Sequence, residues 1–193
     1  MPSHQRQGHG LEVLGFLCSR ARADSAVVEI TVEDPAPGFT QLRNISDAMA
    51  CREAGLMDEW EMTATSSKGG GKKAGAFRCL SREEIAGAAK RLKILPGQVE
   101  IAYELLRLSS LPADARMRDS ELYKRFRLSV KRRLLRTHQE ELDVEAVLVD
   151  GVARQLTEQQ KAAKRSEFIK EQLALLWADV EPGYLTAAAR LQR

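Results

Sequence analysis

The sequence predicts an α+β fold, with a short mixed front and a mainly α-helical rear, on three observations. A β-branched run, AVVEITV at 26–32, lies between two stretches whose apolar residues recur at helical spacing. The helix formers Ala, Leu, Glu, Lys and Arg dominate after Ser81. Between these parts, EMTATSSKGGGKKAGA at 61–76 has almost no bulky apolar residue and cannot repay the entropy of ordering. The expected division is a folded front at 4–60, a flexible linker or insertion at 61–79, and a helical domain at 80–193.

From Gly10 to Arg22 the residues Leu11, Val13, Leu14, Leu17 and Cys18 keep helical spacing behind a loop holding Gly8 and Gly10. The run at 26–32 is read as a buried strand that stops at Pro35. Pro35, Pro37 and Gly38 make a turn, and Phe39, Leu42, Ile45, Ala48 and Met49 continue as a second helix. Ser81 with Glu84 forms a capping box opening a helix to about Ile94, which Pro96 and Gly97 break. A helix follows over 98–109, its inner stripe Val99, Ala102, Tyr103, Leu105 and Leu106. Two longer patterns cover about 119–138 and 157–178. Pro182 and Gly183 are expected to end the second before a short terminal helix.

Composition excludes several classes. No apolar run approaches the roughly 20 residues that cross a bilayer, and MPSHQRQGHG lacks the apolar core of a signal peptide, so cytoplasm and nucleus are the expected locations. Cys18, Cys51 and Cys79 are an odd, widely spaced set, which argues for reduced thiols and against a disulfide framework or zinc site. His4 and His9 have no acid or thiol at metal spacing, so no metal is expected. The net charge of +3 is too small to make the whole chain a nucleic-acid binder.

Two segments have the residue types for chemistry. In QRQGHG at 5–10, glycines let the backbone approach a phosphate, and the helix that follows offers free N–H groups and the positive end of its dipole. The alternative is an ordinary glycine turn. At the end of the expected strand stand Glu33 and Asp34, which strand alternation would point to opposite faces. A carboxylate beside a ligand crevice can act as general base; solvated acids also commonly finish strands.

In combination, glycine loop, helix, apolar run, acidic pair with proline, and second helix resemble the acetyl-CoA-binding half of the GNAT superfamily. Its pyrophosphate loop is Q/R-x-x-G-x-G/A, and QRQGHG matches every fixed position. EITVEDP, FTQLR, SREE, AYELLRL and YKRFRLSVKRRL further resemble the catalytic subunits of type B histone acetyltransferases, over about 5–52 and 81–136. The resemblance implies a partial GNAT core at 4–60 with acetyl-CoA as co-substrate. It places Gln5, Arg6, Gln7, Gly8, His9, Gly10 and Leu11 along the pyrophosphate, and Phe39 beside the cofactor. Glu33 would be the general base and Asp34 its assistant. The implied reaction moves acetyl to lysines of newly made histones, whose amino-terminal tails are partners, as is a WD-repeat histone-chaperone subunit. GNAT domains place several strands before the glycine loop, and Met1 to His4 cannot hold them; the expectation is a truncated copy.

A non-catalytic helical module binding histones or nucleic acid is the rival reading. It draws on Lys124, Arg125, Arg127, Lys131, Arg132, Arg133 and Arg136, with no acid between Leu122 and Thr137. Without a groove-reading motif or aromatic platform, the sequence argues against direct nucleic-acid binding and for a helix with a dry stripe of Leu122, Phe126, Val130 and Leu134. Trp177 fits a packing stripe with Phe168, Leu173 and Leu176.

Overall fold

The computed structural model describes residues 7–59, 78–116, 120–152 and 157–192. Residues 61–77 of the expected linker at 61–79, and Gln5 and Arg6 of the loop, lie outside the described residues. The helices whose bounds lie among the described residues are, in order, α1 (His9–Ala23), α2 (Pro37–Glu53), α3 (Arg82–Leu92), α4 (Pro96–Ser110), α5 (Glu121–Thr137), α6 (Gln139–Val152) and α7 (Glu158–Leu191). A 3-10 turn at Asp114–Arg116 precedes α5.

Among the described residues there is no strand, so the expected α+β class with a partial GNAT sheet is corrected: the described fold is all-helical. The β-branched run at 27–32 has no regular structure, and Val28 is 85% exposed. The reason is the pairing that strands require. A strand exists only through a neighbour's ladder, and here Ile30 is held instead by helices. Its N–H donates to the Lys93 carbonyl at 2.7 Å, and its carbonyl accepts from Arg43 Nη2 at 3.1 Å. Lys93 caps α3 with φ 56° and also donates through Nζ to the carbonyls of Ala21 and Asp24 at 3.2 and 2.5 Å. One lysine thus clasps the end of α1, the extended run and α3.

The chain forms two compact units. The first comprises 1–112 and 183–193. Ile45, Ala48 and Cys51 of α2 and Val99, Ala102, Leu105 and Leu108 of α4 are almost wholly buried there, as the helical spacing of both segments requires. Tyr184, Ala187, Ala188 and Leu191 from the end of α7 are buried too. The Tyr184 hydroxyl donates to Glu104 Oε2 at 2.6 Å, and Arg52 Nη1 donates to the Leu191 carbonyl at 2.8 Å.

The capping box at the start of α3 is formed as expected. The Ser81 hydroxyl accepts from the Glu84 N–H at 3.2 Å, and the Glu84 carboxylate accepts from the Ser81 N–H at 2.8 Å. Arg78 adds an ion pair to the same carboxylate. Ser81→Ala is expected to lower stability by about 1 kcal/mol, read from the midpoint of urea unfolding.

The second unit spans 113–182. Tyr123, Phe126 and Trp177 meet with ring centroids 6.0–6.3 Å apart, the two contacts of Trp177 being edge-on. The Tyr123 hydroxyl donates to buried Glu181 at 2.7 Å, which satisfies a polar group that would otherwise be costly to bury. The dry stripe of α5 holds Phe126, Val130 and Leu134 as expected, with Tyr123 buried and Leu122 only half-buried. Trp177 is core, as its spacing implied. Two features depart from expectation. Helix α6 was not anticipated, and α7 runs unbroken through Pro182 and Gly183. Burial of Trp177 before the proline, and of Tyr184, Ala187 and Ala188 after it, offsets the roughly 3 kcal/mol that an interior proline costs.

Candidate functional site

The glycine loop enters α1 through Gly8, whose φ of 95° an L side chain rarely adopts. Among the described residues, a Cβ added at Gly8 would meet nothing within 4 Å. No side chain caps α1. Leu11 and Glu12 donate backwards to the Gly8 carbonyl at 2.9 and 3.3 Å, while the helix itself offers His9 and Gly10 no acceptor. A helix start of this kind leaves backbone N–H groups available to an acceptor, and the acidic Glu12 stands in the same first turn. The His9 ring pairs with Gln7 Oε1 at 3.0 Å and lies 3.6 Å from the Glu12 carboxylate. Gln7, Gly8, His9 and Gly10 are exposed, and Leu11 is half-buried.

Helix α1 lies against α2 here. A Cβ on Gly10 would stand 3.4 Å from Leu42 Cδ2, and Leu42 follows Phe39 by three residues on the same helix face. Half-buried Phe39 therefore sits in the first turn of α2, within one turn of the residue that the glycine loop touches. Glu33 and Asp34 are exposed on the link into that same helix, and Asp34 adopts φ 41°. Neither carboxylate has a hydrogen bond or ion pair among the described residues. With no strand at 27–32, alternation no longer sets their directions. The positive end of α2, which begins at Pro37, lies just beyond them.

A second cluster, which the sequence reading passed over, is buried between α1 and α2. Arg43 and Asp47 pair at 3.6 Å, too long for a good hydrogen bond, and Asp47 Oδ2 has no hydrogen-bond partner among the described residues. Burial pushes the Asp47 carboxyl up from 3.8 to about 6, and the opposing pull of Arg43 and then Arg22 does not cancel it. Burial likewise raises the Cys18 thiol, and it pushes Cys51 up to about 12, so these two are inert as nucleophiles at neutral pH. The signal for this cluster was present: Arg43, Asp47 and Cys51 stand four residues apart and share one face of α2.

The raised carboxyl has a definite linkage sign. The folded state holds the Asp47 proton up to about pH 6, whereas the unfolded chain releases it near 3.8. Between those values the folded state binds more protons, so Asp47 makes stability fall as pH rises through that window. Asp47→Asn is expected to remove this contribution, seen as a flatter plot of unfolding midpoint against pH between the same limits.

Among the described residues there is no cluster of metal-ligand type, and no helix is long and apolar enough to cross a membrane. No family model matches the chain, and no solved structure matches it. Curated relatives do. It is similar to the histone acetyltransferase type B catalytic subunit of Mycosarcoma maydis, at 28% identity over 185 residues, covering 94% of this chain and 36% of the relative. The protein of that name from Cryptococcus neoformans is 32% identical over 143 residues, covering 74% of this chain and 32% of the relative. The Homo sapiens protein of that name is 27% identical over 131 residues, covering 68% and 27%. The chain spans about a third of the length of these relatives. These likenesses support kinship with the family of type B histone acetyltransferase catalytic subunits.

Proposed function

We propose that the chain contributes the acetyl-CoA-binding part of a protein-lysine acetyltransferase acting on the amino-terminal tails of newly made histones. The observation that carries this reading is the start of α1 behind Gly8, which no described side chain caps, in a chain whose relatives carry the acetyltransferase name. On this reading the backbone from Gln5 to Leu11 lines the pyrophosphate, with His9 and Gly10 donating amides, and Phe39 covers another part of the co-substrate. Glu33 takes the proton from the lysine ammonium, directly or through a water, and Asp34 adds negative charge that attracts a cationic tail. The freed amine attacks the thioester carbonyl; the C–N bond forms, the C–S bond breaks, and the second N–H proton passes to the departing CoA thiolate. A WD-repeat histone-chaperone subunit as partner, and residence in cytoplasm and nucleus, accompany this function.

The rival reading, a non-catalytic interaction module, is supported by the all-helical character of the described residues. Acetyl transfer from labelled acetyl-CoA to a histone tail peptide, with the protein isolated from its source cells, separates the two. Incorporation into lysine that free CoA inhibits is expected. A protein that holds the peptide and transfers nothing is the interaction module.

A further inference from the structure

We propose that the unit at 113–182 carries a self-association surface, in which the outer face of α5 in one copy receives the outer face of α6 in a second. The outer face of α5, opposite buried Tyr123, Phe126 and Val130, presents Lys124, Arg125 and Arg132 around Leu128, which is 54% exposed. The outer face of α6, opposite buried Leu142 and Ala146, presents Glu140, Glu141 and Glu145 around Val144, which is 63% exposed. Each face thus holds an exposed apolar residue beside charge of mainly one sign, with Glu121 pairing to Arg125 on the first and His138 to Glu141 on the second, and the prevailing signs are opposite.

Much of that charge is uncompensated. Lys124 and Arg132 make no side-chain hydrogen bond or ion pair with any described residue, nor do Glu140 and Glu145. The two faces cannot satisfy each other within one copy. The helices are consecutive, joined at His138, and turning both outer faces inward would put Phe126, Val130, Leu142 and Ala146 into water. Between two copies the match closes on itself: α5 of each meets α6 of the other, the reciprocal arrangement a two-fold axis requires. The lengths agree, since 17 and 14 residues give helices of about 25 and 21 Å.

A second copy fits better than a polyanion. A phosphodiester backbone would use the cations and leave Leu128 without a role, and the acids of α6 in the same unit would repel it. An acidic helix with an apolar centre uses both parts of the α5 face.

The test is sedimentation of the 193-residue chain at about 50 and about 500 mM salt, where screening of exposed charge differs strongly. A dimer is expected at low salt, with a dissociation constant rising about tenfold or more at high salt. The double variants Lys124→Glu/Arg132→Glu and Glu140→Lys/Glu145→Lys should each be monomeric where the parent is dimeric. Mixed in equal amounts they should dimerise again, because every α5–α6 pairing regains opposite signs. That recovery also shows that both variants are folded. The proposal is overturned by a parent that stays monomeric at low salt, or by variants that do not recover on mixing. It is equally overturned by association that ignores the reversals and strengthens with salt, which would assign contact to exposed Val13, Phe16 and Leu17 of α1. Binding of duplex DNA by a monomeric parent would give the α5 face to a polyanion instead.

Discussion

Glu33→Gln is expected to slow acetylation of a histone tail peptide by about 100-fold or more at neutral pH, with little change in the KM for acetyl-CoA. A lysine with pKa about 10.4 is almost wholly ammonium at pH 7, so the step that needs the lone pair waits on a base. Glutamine keeps the size and polarity of the side chain and removes only its ability to take the proton. The defect should shrink as pH rises, because the substrate amine then deprotonates without help. A rate profile from about pH 7 to about pH 9.5 reads this directly. Asp34→Asn should cost less, as it removes attraction for the tail and leaves the base. Turnover unchanged in Glu33→Gln would take Glu33 out of the mechanism and leave the proposed cofactor-binding role of α1 untouched.

The second large effect concerns stability. Phe126 is wholly buried, and its ring meets Tyr123 and Trp177 at centroid distances of 6.0 and 6.2 Å. Phe126→Ala removes that area and leaves a cavity between helices, for an expected loss of about 3–5 kcal/mol. Two residues along the same helix, Leu128→Ala should stay within about 0.5 kcal/mol in the monomer at high salt, where that side chain is largely in water. Urea unfolding followed by fluorescence checks both, because Trp177 is packed edge-on against Phe126 and reports on the loss of that contact.

What was legible in the sequence was whatever is decided locally. The capping box at Ser81 and Glu84, the helices that became α1, α2 and α4, and the dry stripe of α5 depend on neighbours three or four residues away. The run at 26–32 failed because a strand is a property of two segments, and composition describes only one. Helix α6 escaped because LDVEAVLVDGV is rich in β-branched residues and holds a glycine, features that weaken a helix reading by propensity. Pro182 misled for the converse reason: a local rule was outweighed by burial on either side of it. In the candidate site, the glycine loop and the acidic pair could be named from their residues and their resemblance. The Asp47 cluster could not be weighed, because its shifted acidity comes from α1 lying over α2, a contact no spacing rule supplies.

The clasp between Arg52 and the Leu191 carbonyl, with Tyr184 on Glu104, has a consequence for the order in which the chain assembles. These ties join residues 139 and 80 positions apart, and the whole of 113–182 is read out by the ribosome between their two halves. The inserted unit is continuous in sequence and has all its aromatic partners as soon as Trp177 emerges. The unit that surrounds it must wait for residues 183–193, with Arg52 and Glu104 lacking these partners until then. Synthesis therefore runs through the middle of this protein before its first-made part can close.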